Sequence, residues 1–482
     1  MSYDDIVYLS LLFFCIALGY FYRQIKSAEQ KKWLGTGAGL VVVLIVSGVH
    51  IIHSLVTYLI NAIIILLVNK RKCHLVSFTF SFLYLFFFRS TVYFGIPYPP
   101  AHTNLVQMIM TLKLVGLAFE VNSSYQLKKK RDTANKTVEE KLEDETNDIN
   151  PSLLDIFHYT FNYIGVLTGP YYRYRTFRDY FNLPFAESSP WKDATIQKIV
   201  YVPIYATLFL LSTSIWPLSY ALTEEFDTER SWLYRFWYIW PTFFMFRMRI
   251  YIGIVLSECV CTMAGFGAYP EFTNPQPGLG PSKNFQKLKE LTENPTKVLH
   301  QAMNFETIRN VSPYGSDFCT TFREGMKHWN ICVQYWLAVN IYKRFPSKKY
   351  RTFVTMLVSA AWHGMYIGYY VCIGCAPLYL LIEDVWVQLV LKDYKGKHLK
   401  LWEWIFWYFK MAGFSYLAIA FNLLSIQKVI HYYNSIYHAG AIIGVILYLS
   451  GLHLLMAKKA KEQKKAIIQV DITAPFGEKK EL

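Results

Sequence analysis

Long, continuous runs of apolar residues recur along the chain, separated by short polar stretches. A helix needs about 20 mostly apolar residues to cross a bilayer, and in lipid only helices and closed barrels satisfy their backbone hydrogen bonds. The runs are continuous rather than alternating, so they predict helices. The predicted spans are 6–22, 34–49, 51–68, 75–88, 103–120, 196–222, 233–264, 352–370, 371–391, 401–426 and 435–457.

Two further segments have helical patterns but are predicted to enter the membrane without crossing it. If 327–342 crossed, the strongly basic loop that follows it would be placed on the lumenal side, which the positive-inside rule disfavours. We therefore expect 327–342 to dip into the membrane from the cytosolic side. The segment 152–168, with Asp155 and His158 in apolar surroundings, suggests a similar amphipathic or re-entrant piece.

Composition supports one large membrane-embedded body. Of 482 residues, 53% are hydrophobic and only 17% are charged, which excludes an ordinary soluble enzyme, a disordered protein and a secreted disulfide scaffold. The predicted fold class is an all-α polytopic membrane protein of about 11 spans with additional short helices. Residues 1–457 form a single domain, and 458–482 form a basic cytosolic tail. Within the domain, 122–150 is predicted to be a charged, solvated cytosolic loop, and the Gly/Pro-rich stretch 265–303 an ordered or semi-ordered cap.

The net charge of +15 lies mostly in short loops and in the tail, beside apolar segments. Such loops are retained in the cytosol and attracted to anionic lipid headgroups, so they indicate membrane-lipid contact rather than nucleic-acid binding. Their positions predict a lumenal amino terminus and a cytosolic carboxyl terminus. The eight cysteines are scattered without zinc spacing, so no metal site is expected.

Two polar residues in apolar surroundings are the main candidates for chemistry. His363, placed near the middle of the predicted span 352–370, has an imidazole suited to general-base catalysis, although a structural histidine is the simpler alternative. Asn330 offers an uncharged amide that can hold a hydroxyl or an oxyanion, and the alternative is a packing or helix-terminal amide.

Arginines in two aromatic segments are candidates for binding phosphate groups. Arg247 and Arg249 lie in a predicted span, and Arg173 and Arg175 lie among tyrosines beside a Gly-Pro turn. A buried arginine pairs with an acid or with phosphate oxygens, so structural ion pairs remain the alternative for the first two. For the second two, the alternative is an aromatic belt with arginines that extend to the interface.

The motif His328-Trp329-Asn330, followed about thirty residues later by Ala361-Trp362-His363-Gly364, resembles the signature of the membrane-bound O-acyltransferase (MBOAT) family. Further segments resemble the branch that acylates lysophosphatidylinositol, and they lie at 167–176, 246–249, 264–270 and 314–318. The resemblance implies a helical fold that encloses a catalytic chamber, with His363 as base and Asn330 as its partner. It implies transfer of an arachidonoyl-type group from acyl-CoA to lysophosphatidylinositol, as in phosphatidylinositol remodelling. Acyl-CoA would be a co-substrate and no cofactor would be needed. Trp329, Trp362, Tyr314 and Asp317 join the four arginines as candidate substrate-binding residues.

Other functions remain open at this point. The same chemistry could serve another lysophospholipid or a protein hydroxyl. A transporter is the alternative from another class, although the chain shows no internal repeat. The ending Lys479-Lys480-Glu481-Leu482 resembles the dilysine retrieval signal of endoplasmic-reticulum membrane proteins, so we expect that membrane as the location. The oligomeric state is left undetermined.

Overall fold

The structure, a computed structural model, describes residues 3–131, 136–293, 295–391 and 397–473. The first helices are α1 (Tyr3–Tyr22), α2 (Ala28–Ser47), α3 (Ile51–Leu67), α4 (Cys73–Arg89), α5 (Ala101–Arg131), α6 (Val138–Thr146), α7 (Leu153–Phe161) and α8 (Tyr174–Asn182). Next come α9 (Phe185–Ser188), α10 (Trp191–Ile199), α11 (Val202–Ile215), α12 (Glu224–Thr228), α13 (Trp232–Trp237) and α14 (Ile239–Met263). The predicted all-α class is confirmed.

The second half contains strands β1 (Tyr269–Pro270) and β2 (Met303–Asn304) around the short helices α15 (Phe285–Thr292) and α16 (Pro295–Val298). It continues with α17 (Pro313–Phe318), α18 (Phe322–Lys327), α19 (Ile331–Leu337), α20 (Arg351–His363), α21 (Ile367–Trp386), α22 (Lys397–Leu423), α23 (Ile426–Ser435) and α24 (Ala439–Thr473). Two helices continue as π-helix, α19 through Ala338–Tyr342 and α21 through Val387–Leu391.

Within the described residues, seven helical stretches are long and apolar enough to cross a membrane. They are Tyr3–Tyr22, Ala28–Leu67, Ala101–Lys129, Trp191–Leu222, Ile367–Leu391, His398–Leu423 and Ala439–Lys464. Eight of the predicted spans lie wholly or largely in these stretches, and Ala28–Leu67 accounts for two of them, 34–49 and 51–68. The predicted spans 75–88, 233–264 and 352–370 do not, so the count of eleven is not confirmed.

Helix α5 is the centre of the bundle. Of the 18 consecutive residues that form its most apolar segment, 89% are buried, against 11% of the corresponding segment of Ile367–Leu391. A helix that is buried all round needs partners for its polar side chains. These partners exist, since Gln107 donates to Thr57 and the Lys113 ammonium donates to the Tyr159 carbonyl at 3.2 Å.

The two ends of the bundle can be told apart by their loops. Arg71, in the turn before α4, donates to Tyr125, and Arg344, in the loop 343–350, donates to Asn122. Both partners lie towards the carboxyl end of α5, so the two basic loops share one end of the molecule, here called the basic end. Asp5, near the start of α1, lies 3.2 Å from His102 at the start of α5, and marks the opposite end.

The prediction of a single span over 352–370 is wrong. Helix α20 ends at His363, and α21 begins only at Ile367. Gly364 closes α20, donating its backbone N–H to the Ala360 carbonyl at 3.0 Å. His363 therefore lies at the end of a 13-residue helix rather than in the middle of a span.

The described part of 122–150, predicted as a solvated loop, is largely helical. Helix α5 continues to Arg131, and α6 begins with a capping box in which Thr137 and Glu140 satisfy each other's backbone N–H groups. Glu139 accepts hydrogen bonds from the first N–H groups of α15, which docks this segment against the Gly/Pro-rich stretch. That stretch is folded, and its ends pair as β1 and β2.

The chain between β2 and α19 forms the short helices α17 and α18, of six residues each, and it packs against the long helices of the bundle. Lys410 of α22 donates to the carbonyls of Ser316 at 3.0 Å and Cys319 at 2.7 Å. Glu383 of α21 accepts from the first backbone N–H groups of α18. Irregular backbone at membrane depth must be covered by protein in this way. This stretch delivers Asn330 to the start of α19.

Candidate active site

Asn330 and His363 terminate the two arms of one helical hairpin. The first arm is the seven residues of α19 and the five π-helical residues that follow. The second arm is the 13 residues of α20, which packs against that π-helix. At 1.5 Å per residue each arm is about 18–20 Å long. Because the loop 343–350 joins the arms at the basic end, Asn330 and His363 lie at similar depth at the far end.

Two tryptophans fix this hairpin to the central helix. The Trp336 indole N–H donates to the Leu112 carbonyl, and the Trp362 indole N–H donates to the Met108 carbonyl, both at 3.0 Å. The two acceptors are one turn apart on α5, and both indoles are buried. The arm that carries Asn330 and the arm that carries His363 are therefore in register on the same support.

Asn330 has a backbone conformation that few residues adopt. Its φ of 49° and ψ of 48° lie in the left-handed region, which asparagine tolerates better than most residues with a side chain. The first N–H groups of α19 are satisfied by Asn310, whose carbonyl accepts from Ile331 at 2.8 Å and whose side chain accepts from Cys332 at 3.0 Å. Within the described residues, the Asn330 carboxamide has no hydrogen-bond partner, so it is available for a substrate.

Asn310 is itself held by a buried carboxylate. Its backbone N–H donates to Glu258 of α14 at 2.7 Å, and Glu258 is only 1% exposed. Lys198 pairs with the same carboxylate. A buried acid with a cation and backbone donors around it is a rigid support, so it fixes the entry into α19.

The His363 ring is surrounded by aromatic side chains. Its centroid lies 4.8 Å from that of Trp362 and 5.1 Å from that of Phe421 on α22. The residue is half-buried, and in the part of the chain that the structure describes the imidazole makes no hydrogen bond. Tyr369 packs beside the ring at 5.8 Å. A Cβ at position 364 would lie 2.6 Å from that tyrosine, so Gly364 is required for this packing.

An aromatic wall connects the two candidate residues. Phe421 packs against Phe246 of α14 at 5.3 Å, and Phe246 stacks on Trp329 at 6.2 Å. Trp329 directly precedes Asn330. The wall therefore runs from His363 to Asn330 and gives both residues an apolar neighbour.

The comparison with known proteins identifies the family. Residues 81–425 match the model of MBOAT, the membrane-bound O-acyltransferase family. The chain belongs to this family. A relative from Drosophila melanogaster is 48% identical over 472 residues, covering 96% of this chain and 95% of the relative. A human relative is 35% identical, covering 98% and 99%, and one from Caenorhabditis elegans is 31% identical, covering 96% and 98%. All three are named membrane-bound acylglycerophosphatidylinositol O-acyltransferase.

The family resemblance and the O-acyltransferase class expected from the sequence are thus confirmed. Within this MBOAT protein, the structure brings four of the candidate site residues to the far end of the hairpin. They are Asn330, His363, Trp329 and Trp362. Trp362 is turned towards α5, whereas Trp329 forms part of the aromatic wall.

Arg247 and Asp317 form a pair near this wall. The guanidinium lies 2.5 Å from the carboxylate, and Tyr251 donates to the same oxygen at 2.7 Å. Tyr251 also packs against Trp329 at 5.6 Å. Asp317 is thus held by two side chains of α14. These contacts join the stretch between β2 and α19 to that helix.

The remaining candidate residues lie elsewhere. Arg249 is 60% exposed in its side chain and contacts Asp5 at 3.2 Å. Tyr314 is 76% exposed. The Arg175 side chain is buried and donates to the Pro281 carbonyl at 3.0 Å. In the part of the chain that the structure describes, none of these three residues contacts Asn330 or His363.

Arg173 forms its own buried pair. Its guanidinium lies 3.4 Å from Glu120 of α5. Burial is the largest single influence and lowers the pKa of Arg173, but the Glu120 carboxylate together with Tyr335 and Tyr171 outweighs burial, so the pKa is raised. Arg173 therefore stays charged, with its charge already neutralised by an acid.

Arg89 at the end of α4 was not among the sequence candidates, yet it contacts the last turn of α20. It donates to the carbonyls of Ala361 at 3.3 Å and Trp362 at 2.8 Å. Its only sequence signal is its place after an apolar run, which is equally typical of an arginine at a membrane interface.

Proposed function

We propose that this protein transfers an acyl group from acyl-CoA to the free hydroxyl of lysophosphatidylinositol. The observation that carries the proposal is the hairpin, which places a carboxamide and an imidazole at one depth beside an apolar wall, neither of them hydrogen-bonded within the described residues. Family membership supports acyl transfer, and the names of the three relatives support the acceptor.

In the proposed reaction His363 is the general base. The imidazole accepts the proton of the glycerol hydroxyl while the oxygen attacks the thioester carbonyl. Asn330 donates to the developing oxyanion or holds the hydroxyl. When the tetrahedral intermediate collapses, the carbon–sulfur bond breaks and the imidazolium returns the proton to the thiolate of coenzyme A. The ester and free coenzyme A leave, and His363 is neutral again.

No cofactor enters this scheme. The thioester already activates the acyl group, so one base and one hydrogen-bond donor are sufficient. The aromatic wall assists because water in the same space would hydrolyse the donor. We propose that acyl-CoA enters from the basic end, where the loop 343–350 carries Lys343, Lys348 and Lys349, and that the acceptor enters from the bilayer.

We also propose an arachidonoyl-type donor and a location in the endoplasmic-reticulum membrane, with the basic end in the cytosol. The acidic start of α1 lies opposite to the basic end, which supports this orientation by the positive-inside rule. Lys479 and Lys480, which suggest retrieval to that membrane, lie outside the described residues.

A headgroup panel tests the acceptor. Purified protein is given arachidonoyl-CoA with the lyso forms of phosphatidylinositol, phosphatidylcholine, phosphatidylethanolamine or phosphatidylserine. We expect the inositol lipid to be acylated at least about tenfold faster than the others. Equal rates across headgroups would contradict the acceptor but not the reaction, whereas no transfer to any lipid would contradict both. Repeating the assay with oleoyl-CoA tests the donor preference.

A further inference from the structure

Arg89 joins three elements at the end of the hairpin. Its Nε donates to the Asn104 side chain of α5 at 2.9 Å. Its two terminal nitrogens donate to the carbonyls of Ala361 and Trp362 on α20. All three guanidinium nitrogens are therefore engaged with the protein, and Arg89 is half-buried where it does so.

The two carbonyls need a partner because of where they lie. The last carbonyls of an α-helix have no N–H group of their own helix to bind. Gly364 donates to Ala360, but α20 ends before residues 361 and 362 find such a donor. A cation at a helix carboxyl terminus also interacts favourably with the helix dipole, and its hydrogen bonds are stronger than those of a neutral donor.

His363 depends directly on this turn, because it is the last residue of α20 and directly follows Trp362. Its side chain has no hydrogen bond among the described residues, so its direction is set by the backbone of the turn and by ring packing. If the last turn frays, the imidazole loses its register with Asn330.

We propose that Arg89 is a positioning residue for acyl transfer, which holds the final turn of α20 so that His363 is aligned with Asn330 and the bound acceptor. The proposal rests on the proposed function, because it assumes that His363 is the base. Arg89 acts through the backbone of α20 and does not touch the reacting atoms.

The test compares Arg89→Met with a matched arginine variant, Arg344→Met. Arg344 also ties the hairpin to α5, through Asn122 at 3.0 Å and Ser123 at 2.6 Å, but at the basic end. Initial rates are measured against acyl-CoA and lysophosphatidylinositol, together with thermal unfolding of each purified protein. We expect Arg89→Met to lower kcat about 10- to 100-fold with KM for both substrates within about twofold, since small misplacement of a catalytic group costs rate.

A purely structural role predicts a different result. If Arg344→Met and Arg89→Met lowered kcat and the unfolding temperature alike, Arg89 would be one fixing point among several and the proposal would be overturned. Wild-type kcat in Arg89→Met would overturn it too. We expect Arg344→Met to keep kcat within about threefold of wild type. A change in its KM for acyl-CoA alone would report on the proposed entry at the loop 343–350 and would not count against Arg89.

Two milder variants decide the question even if Arg89→Met does not fold. Arg89→Lys keeps a cation that reaches fewer acceptors, and Asn104→Leu removes the partner of Nε together with a weak hydrogen bond from Asn104 to the Met108 sulfur at 3.5 Å. We expect both to lower kcat below that of wild type, with KM unchanged, and unchanged kcat in both would reject the proposal. His363→Ala is assayed in parallel. If it retains activity, the proposed base is wrong, a failure that is separate from the result for Arg89.

Discussion

At the scale of single residues, His363 carries the strongest prediction. Replacement by alanine removes the proposed base but leaves the fixing of α20 by Trp362 and Arg89 intact. General-base catalysis contributes about 10²- to 10⁴-fold, so we expect the rate of acyl transfer to fall by at least about 10². The thermal unfolding of the variant should stay close to that of wild type. Activity above a tenth of wild type would show that another group takes the proton.

His50 provides the control for that experiment. It lies in the turn between α2 and α3, stacks against His53 at 5.9 Å and, among the described residues, contacts neither Asn330 nor His363. His50→Ala should keep the wild-type rate. A loss of activity in this variant would mean that histidine removal affects the enzyme through its stability.

Asn330 contributes a left-handed backbone conformation and a side-chain carboxamide, and substitutions can separate the two. Its left-handed backbone costs an ordinary residue about 1–2 kcal/mol, whereas glycine adopts it freely. Asn330→Gly should therefore be more stable than Asn330→Ala by about 1 kcal/mol. Both variants lack the carboxamide, so both should lose acyl transfer to the same degree. If Asn330→Gly were active, the backbone and not the side chain would be what the reaction requires.

The candidate site was predictable from sequence only where a residue type is chemically distinctive. His363 and Asn330 can be identified because placing a polar imidazole or amide among apolar residues costs free energy, which indicates a functional or structural role. Arg89 was not, because an arginine after an apolar run is ordinary, and its role depends on carbonyls 272 and 273 residues away. For Arg247 the sequence predicts an ion pair but does not identify Asp317 as the partner, because sequence alone does not show which acid faces which base.

At the scale of elements, the hairpin depends on its two indole contacts with α5. Phenylalanine at 336 or 362 keeps the aromatic packing but leaves the Leu112 or Met108 carbonyl without its second donor. Each hydrogen bond contributes about 1 kcal/mol, so each variant should be destabilised by roughly that amount. Thermal unfolding of the purified proteins measures this effect.

The two hairpin variants should lose activity, whereas a tryptophan variant at the surface should not. Because each arm carries one candidate residue, Trp336→Phe and Trp362→Phe should both reduce kcat. Trp404, which is 66% exposed, is the matched tryptophan, and Trp404→Phe should change neither stability nor rate. Full activity in both hairpin variants would show that packing alone keeps the arms in register.

The elements were predicted well where hydropathy changes sharply and poorly where it does not. Residues 352–391 are apolar almost throughout, so no polar stretch in the sequence separates α20 from α21. Only Gly364 marks the break. In 122–150 the charge density suggested a loop, but Thr137 and Glu140 form a capping box that already marks a helix start. Its docking on α15 through Glu139 is a tertiary contact that composition does not show.

At the scale of the whole molecule, the orientation in the membrane can be tested by N-glycosylation, and the chain has three natural Asn-X-Ser/Thr sequons, at Asn122, Asn135 and Asn310. Asn122 is buried and donates to the Lys70 carbonyl at 2.8 Å, and Asn310 is buried and caps α19. Neither side chain is accessible to a glycan in the folded protein on either side of the membrane. The third sequon, at Asn135, lies outside the described residues. New sequons in exposed loops are therefore needed.

Two single substitutions create such sequons, one beside an acidic helix and one in the basic loop. Glu229→Asn places one with Ser231 beside the acidic helix α12, and Tyr350→Asn places one with Thr352 in the basic loop. Both positions are exposed, so the folded structure does not prevent modification at either. Glycosylation occurs only on the lumenal side, and basic loops are retained in the cytosol. Glu229→Asn should therefore gain a mass that an endoglycosidase removes, while Tyr350→Asn stays unmodified. The reverse pattern would place the basic end in the lumen, and acyl-CoA would then have to reach His363 from the opposite end of the molecule.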